Sequence, residues 1–272
     1  MRIHLITVEL KMHTMKNLLR ISYFVLIILL TATIAGFLYG TTSNQGWVRD
    51  LSLNVGTEIL GILLTVFLID AVIRRNEEKE RARIRTLAFQ QLRIPLVHHL
   101  GVLQGIYKAS IANLPEHLPA EVKDLFEPGY FVQIAFFDIS KTAPLTSAVS
   151  WFDYLKSESE KFRLALGRTI EKYAVFLNAT EIELLEMIIN SSFLSLVEQT
   201  PAIRGIDQKE GYKRTYNLFA GQGMDGLVRE YTDWFTQLIA LYNNVLPDNR
   251  IVITAGMWRN DVAPRVGSAR MG

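Results

Sequence analysis

Between Arg20 and Arg49 the chain carries no Asp, Glu, Lys or Arg, and a run of that length without charge sets the plan of everything around it. As a helix rising about 1.5 Å per residue, 21–39 would span roughly 28 Å, the depth of a bilayer's hydrocarbon core. A second run, 51–73, carries only Glu58 and Asp70 and ends in Arg74 and Arg75. It would span roughly 34 Å, enough for a crossing with some tilt. The intervening 40–50 stretch is short, polar and glycine-containing, so the expectation is a transmembrane hairpin over 21–73, with spans 21–39 and 51–73.

Basic residues resist translocation, so their distribution sets the orientation. Four precede the first span (Arg2, Lys11, Lys16, Arg20), only Arg49 stands in the loop, and six follow the second span, from Arg74 to Arg85. The expected order is a basic cytoplasmic segment over 1–20, the hairpin, a charged stalk helix over 74–94, a cytoplasmic helical domain over 95–254 and a flexible tail over 255–272. The predicted localisation is a membrane, with the N-terminus and the C-terminal domain in the cytoplasm. A secretory signal peptide over 1–35 is the competing reading, and residues 33–35 make a poor cleavage site for it.

The polar residues of the second span are not scattered. On a 100° wheel Asn54, Thr57, Glu58, Gly61 and Thr65 share an arc of about 100°, and Thr57, Gly61 and Thr65 repeat at every fourth position. Ala32, Gly36 and Gly40 repeat the device in the first span, so each span has a face that admits close helix approach. Glu58 lies about 10 Å into its span, where a charge costs several kcal/mol unless it is protonated, paired or wet. It is either a pore-lining or proton-linked carboxylate of an oligomer, or a protonated group hydrogen-bonded across a helix interface. Asp70, four residues before Arg74, is expected to form an interfacial ion pair.

Beyond the hairpin the chain reads as all-α. Formal net charge over the whole chain is +2, and the part after residue 85 holds no basic excess, which disfavours a nucleic-acid partner. Phe152, Leu155, Phe162, Leu166, Ile170, Tyr173 and Leu177 mark one amphipathic helix. Thr180 and Glu183 form a capping box for a second helix closed by Pro201. A third runs from 225 to 246. An earlier helical stretch, 84–114, is expected to break at Pro95 and to complete a bundle. For 130–139 and 250–254 periodicity does not separate helix from strand.

Chemistry-bearing patterns are sparse. The absence of cysteine excludes disulfides, thiolate zinc sites and a cysteine nucleophile. No histidine pair has metal-ligand spacing, so neither a metal nor a cofactor is expected. Gly221, Gly223 and Gly226 fit G-x-G-x-x-G ahead of a helix, but a dinucleotide site also needs a preceding strand and a parallel sheet. Arg93 and His98 have the R-x4-H spacing that resembles the catalytic motif of HEPN-type ribonucleases. That resemblance implies His98 as general base and Arg93 as phosphate ligand, although Ile94 replaces the usual polar residue and Pro95 interrupts the helix.

The block from Asn54 to Thr65, running on to Ile69, Asp70 and a charged stalk, resembles the second span of a group of uncharacterised bacterial membrane proteins with an N-terminal hairpin and a cytoplasmic helical domain. The resemblance implies topology and bacterial origin, and carries no activity. The resulting expectation is a membrane-anchored, non-enzymatic interaction, scaffold or sensing module that oligomerises through its hairpin. Its partners would be the lipid bilayer, further copies of itself and a cytoplasmic protein. The rivals are an oligomeric channel or membrane-permeabilising effector with Glu58 in the membrane, and a membrane-tethered ribonuclease.

Overall fold

The computed structural model describes residues 23–111, 113, 115, 117–143, 149–212, 216–220 and 223–259. Every extended element among them is a helix, and the sole β feature is an isolated bridge between Thr142 and Ser150. The helices are α1 (Tyr23–Thr42), α2 (Gly46–Ser110), α3 (Val122–Leu125), α4 (Pro128–Ile134), α5 (Trp151–Tyr173), α6 (Ala179–Ile189), α7 (Ser192–Glu210), α8 (Met224–Val245) and α9 (Ala255–Arg259). Two of them, α1 and α2, are long and apolar enough to cross a membrane. The chain divides into two compact units, Met1–Glu80 and Arg81–Gly272.

In the first unit α1 and the start of α2 form an antiparallel pair joined by a turn shorter than the sequence suggests. The Gln45 amide reaches the Gly40 carbonyl at 3.1 Å, and Asn44 takes a φ of 56°, a left-handed conformation that asparagine tolerates better than most residues. Helix therefore extends over most of 40–50. The seam repeats at steps of three and four. Ser52, Gly56, Ile59, Leu63, Val66 and Asp70 are the less exposed positions of α2, opposed by Tyr23, Leu26, Leu30, Thr33, Phe37 and Gly40 of α1.

The second unit is a helical assembly around one apolar core. The C-terminal half of α2 buries Phe89, Leu92, Leu96, Leu100, Leu103 and Ile106; α5 adds Phe152, Leu155, Phe162 and Leu166; α8 adds Tyr231, Phe235, Leu238 and Tyr242. Two of the expected stripes, on α5 and α8, thus lie in the core. This unit begins inside the segment read as a solvated stalk. The Arg81 guanidinium donates to the Val175 carbonyl at 2.9 Å, and Arg85 Nε donates to Glu181 Oε1 at 2.6 Å.

Several local expectations are corrected. Pro95 does not break α2: it deprives only the Gln91 carbonyl of its donor, Gln91 is exposed to water, and buried Leu92, Leu96 and Leu100 hold both sides of the site. Pro201 does not end a helix either. It lies inside α7, where the Val197 carbonyl it cannot serve accepts the Thr200 hydroxyl at 2.7 Å. The break falls earlier, at Asn190, and Ser191 caps α7 through the Leu194 amide at 3.3 Å. The capping box of α6 is Asn178 with Glu181, not Thr180 with Glu183, because Glu181 both closes the box and meets Arg85. Residues 128–134 are helical, whereas 250–254 form neither helix nor strand. There Asn243 holds Ile251 through both of its backbone groups. The region expected as tail contributes α9 and a fully buried Trp258; residues 260–272 lie outside the described residues.

Candidate functional site

The small residues of α1 set how close α2 can come. A Cβ placed on Gly40 would lie 2.6 Å from the Arg49 backbone nitrogen, and one on Gly36 would lie 2.6 Å from the Ser52 hydroxyl. On α2 the complementary position is Gly56, whose Cβ would sit 3.5 Å from the Thr33 hydroxyl and 3.8 Å from Thr33 Cβ. Gly36 and Gly40 therefore act at the α1–α2 seam, while Ala32 is exposed beside it.

The Thr57–Gly61–Thr65 ladder does not face α1. No atom comes within 4 Å of a Cβ on Gly61, and Asn54, Thr57, Glu58, Gly61 and Thr65 are all exposed. On a 100° wheel the centre of this arc lies roughly 165° from the centre of the α1-facing row. The small-residue faces of the two spans thus do not face each other: that of α1 lies at the seam, and that of α2 is open. The Thr57 and Thr65 hydroxyls turn back onto the carbonyls of Leu53 and Gly61, at 3.1 and 2.9 Å, as threonines in apolar helices do. No hydrogen bond or ion pair reaches Glu58 among the described residues. Asp70 meets Arg74 at 2.7 Å, the expected i,i+4 pair.

In the helical unit, Arg93 and His98 sit on one unbroken helix, five residues and so about 140° apart. They serve different neighbours. His98 Nε2 bonds Glu158 of α5, whereas the Arg93 guanidinium lies near the Tyr242 hydroxyl of α8. Burial raises the Tyr242 hydroxyl's pKa, and Arg93 opposes that shift. No common point is presented to a phosphate. Of the glycine loop, Gly221 lies outside the described residues. Gly223 takes a left-handed φ of 83° at the start of α8, and Gly226 falls inside that helix. A 3-10 turn at Leu218–Ala220, not a strand, precedes the loop. No cluster of three metal-ligating side chains exists among the described residues.

Two polar arrangements escaped the sequence reading. Glu158 is 7% exposed and accepts from both His98, itself 60% exposed, and Lys161 at 2.7 Å. Burial pushes the Glu158 carboxyl up, and the hydrogen bonds and charges of Lys161 and His98 outweigh it and hold the pKa below the usual carboxylate range. The signal was available: Leu155, Glu158, Phe162 and Leu166 follow the apolar spacing, so a carboxylate stood in a core row. Next to His98, His99 is buried flat against Phe162, with ring centroids 4.0 Å apart and planes 5° from parallel. Its Nε2 bonds the Tyr231 hydroxyl, and its Nδ1 has no partner. Burial first, and the neighbouring His98 second, lower its pKa to about 3, so the ring is neutral. Burial likewise raises Tyr231 well above its ordinary range.

Among the described residues these groups form an apolar core with a polar clamp at its edge. Comparison with known proteins adds no assignment: no family model, no curated protein and no solved structure matches the chain.

Proposed function

We propose that the chain is a membrane-anchored helical interaction module. The α1–α2 pair crosses a bacterial inner membrane twice, the N-terminus and the helical unit lie in the cytoplasm, and copies associate through the arc of Asn54, Thr57, Glu58, Gly61 and Thr65. The observation that supports this most is the position of that arc, turned away from α1 and leaving Glu58 without a partner. In hydrocarbon an unpaired carboxyl costs several kcal/mol. A second copy relieves that cost, because a protonated Glu58 can bond Asn54 or Thr57 of its neighbour, and Gly61 lets the helices approach. The distribution of basic residues, four, one and six, supports the orientation. The helical unit then serves as a cytoplasmic platform for a protein partner.

The test is the protein mass of the full chain in detergent or nanodiscs, by light scattering with the lipid contribution subtracted. Wild type is measured beside Gly61→Leu and Glu58→Gln. A defined oligomer that Gly61→Leu dissociates is the expected result; a monomer in all three overturns self-association. The exposed Glu58 also favours a second reading, a cation-conducting oligomer, whose signature is conductance lost in Glu58→Gln and retained in His98→Ala. The ribonuclease alternative is disfavoured by the divergence of Arg93 and His98.

A further inference from the structure

Beside the α1–α2 seam lies a groove of about 300 Å³, walled by Leu30, Ile34 and Phe37 of α1 and by Leu53, Gly56 and Leu60 of α2. Its lining is apolar because the hydroxyls at its edge are turned elsewhere: Thr33 donates to the Leu30 carbonyl at 2.8 Å and Thr57 to the Leu53 and Asn54 carbonyls. Along α1, from 30 to 38, it runs for roughly 12 Å, a little under half the hydrocarbon thickness. That is the reach of one leaflet.

Arg49 stands one turn before Leu53 on the same face of α2, at the loop end of the groove. It is the one basic residue between Arg20 and Arg74. Its side chain is 49% exposed, and its Nε donates to Asp50 at 3.3 Å. Side chains on a helix lean toward its N-terminus, so Arg49 reaches past the end of the groove rather than into it. The N-terminus of α2 lies there too, with no acidic residue in its first turn, and adds its positive partial charge. Trp47 is 70% exposed at the same level, where an aromatic ring suits a headgroup layer.

Resting on the membrane reading above, we infer that the groove is a phospholipid site: one acyl chain lies between Leu30 and Leu53, and the lipid phosphate sits on Arg49. The occupant is a lipid and not a second copy, because the groove ends at an arginine that meets Asp50 through its Nε, beside a helix N-terminus, and the rest of its guanidinium fork complements a phosphate. The arc assigned to self-association is centred elsewhere on α2. Headgroup charge then matters, and the preferred ligand is an anionic phospholipid of the leaflet that holds the loop.

The experiment uses the full chain in mild detergent, stripped of endogenous lipid and titrated with phosphatidylglycerol or with phosphatidylcholine of the same acyl chains. Bound lipid per chain is counted by native mass spectrometry. One phosphatidylglycerol per chain is expected, held about five-fold more tightly than phosphatidylcholine, the scale of one basic residue against an anionic headgroup. Arg49→Gln should remove that preference while leaving chain binding. Ile34→Trp, on the exposed rim away from the seam, should fill the groove and lower retention of both lipids. Wild type that retains neither lipid overturns the site, as does retention unchanged in both variants. A fall in protein mass on Ile34→Trp overturns it in favour of a second copy. Release of the chain from membranes by alkaline carbonate would instead defeat the membrane reading itself.

Discussion

Acid should loosen the helical unit through a single buried ring. His99 lies between Phe162 and the edges of Tyr231 and Phe235, with its Nε2 committed to the Tyr231 hydroxyl. Its pKa falls from 6.5 in the unfolded chain to about 3 in the folded one. Between those values the unfolded state binds one more proton than the folded state, so stability is fully present above about pH 6.5 and declines as pH falls. Each pH unit is worth about 1.4 kcal/mol, so at pH 5 the loss from His99 alone is about 2 kcal/mol. That is a sizeable share of the 5–15 kcal/mol typical of a domain. The assay is urea unfolding of the full chain in mild detergent at pH 7 and pH 5, followed by near-ultraviolet circular dichroism. Trp151 and Trp258 report from inside this core. His99→Phe keeps an aromatic ring against Phe162 and removes the titration. It should be less stable at pH 7, because the Tyr231 hydroxyl loses its partner, but its pH dependence should be flatter than wild type by about 2 kcal/mol over the interval. Equal pH dependence in wild type and variant would refute the reasoning, since other titrating groups are common to both.

Two further outcomes test the clamp and the seam. Glu158→Gln removes the carboxylate that His98 and Lys161 share, and should destabilise the helical unit by about 1–2 kcal/mol at neutral pH. Because the folded carboxyl titrates below its unfolded value of 4.5, the difference from wild type should shrink as pH falls through the carboxylate range; a gap that persists at pH 3 would locate the cost in packing. The chain has no cysteine, so paired cysteines at Thr33 and Gly56 form a clean probe. Their Cβ atoms would lie 3.8 Å apart, the separation a disulfide prefers. Copper-catalysed oxidation should close the bond in Thr33→Cys/Gly56→Cys and leave Thr33→Cys/Gly61→Cys open, read as a mobility shift on denaturing gels. The reverse pattern would place Gly61 at the seam.

What the sequence revealed and what it hid follow from the range of the forces involved. The apolar runs, the amphipathic stripes of α5 and α8 and the Asp70–Arg74 pair are local, and each was readable within a few turns. The capping box was misplaced by two residues: Asn178 and Thr180 each stand three residues before a glutamate, and the one that forms the box also meets Arg85, nearly a hundred residues earlier. The two prolines were misjudged for a related reason. A proline removes one donor and crowds one turn, a penalty of about 3 kcal/mol. The buried leucines flanking Pro95 can match that cost, and at Pro201 the Thr200 hydroxyl satisfies the orphaned carbonyl. At Pro95 the compensation is tertiary burial that no local motif records; at Pro201 it is the adjacent Thr200, whose turn back onto Val197 the residue pair alone does not announce.

The same distinction governs the hairpin. A stripe of small residues states that a helix face can be approached, not what approaches it, so the ladders of α1 and α2 could not be paired from spacing alone. The deciding contacts are steric: Gly40 against the Arg49 backbone admits no side chain, Gly36 admits one only if the Ser52 hydroxyl turns aside, and Gly61 faces open space. Under the proposed reading, one helix carries two roles on opposite sides. The α1-facing row closes the hairpin and can be satisfied within one chain. The row with Glu58 is not so satisfied, because it faces away from α1, no cation stands on α1, and the Thr31 and Thr33 hydroxyls there donate to α1's own carbonyls. Substituting Glu58 by Leu should therefore leave the α1–α2 disulfide probe unchanged while altering the mass of the assembly; a change in both would show that the two faces are not independent.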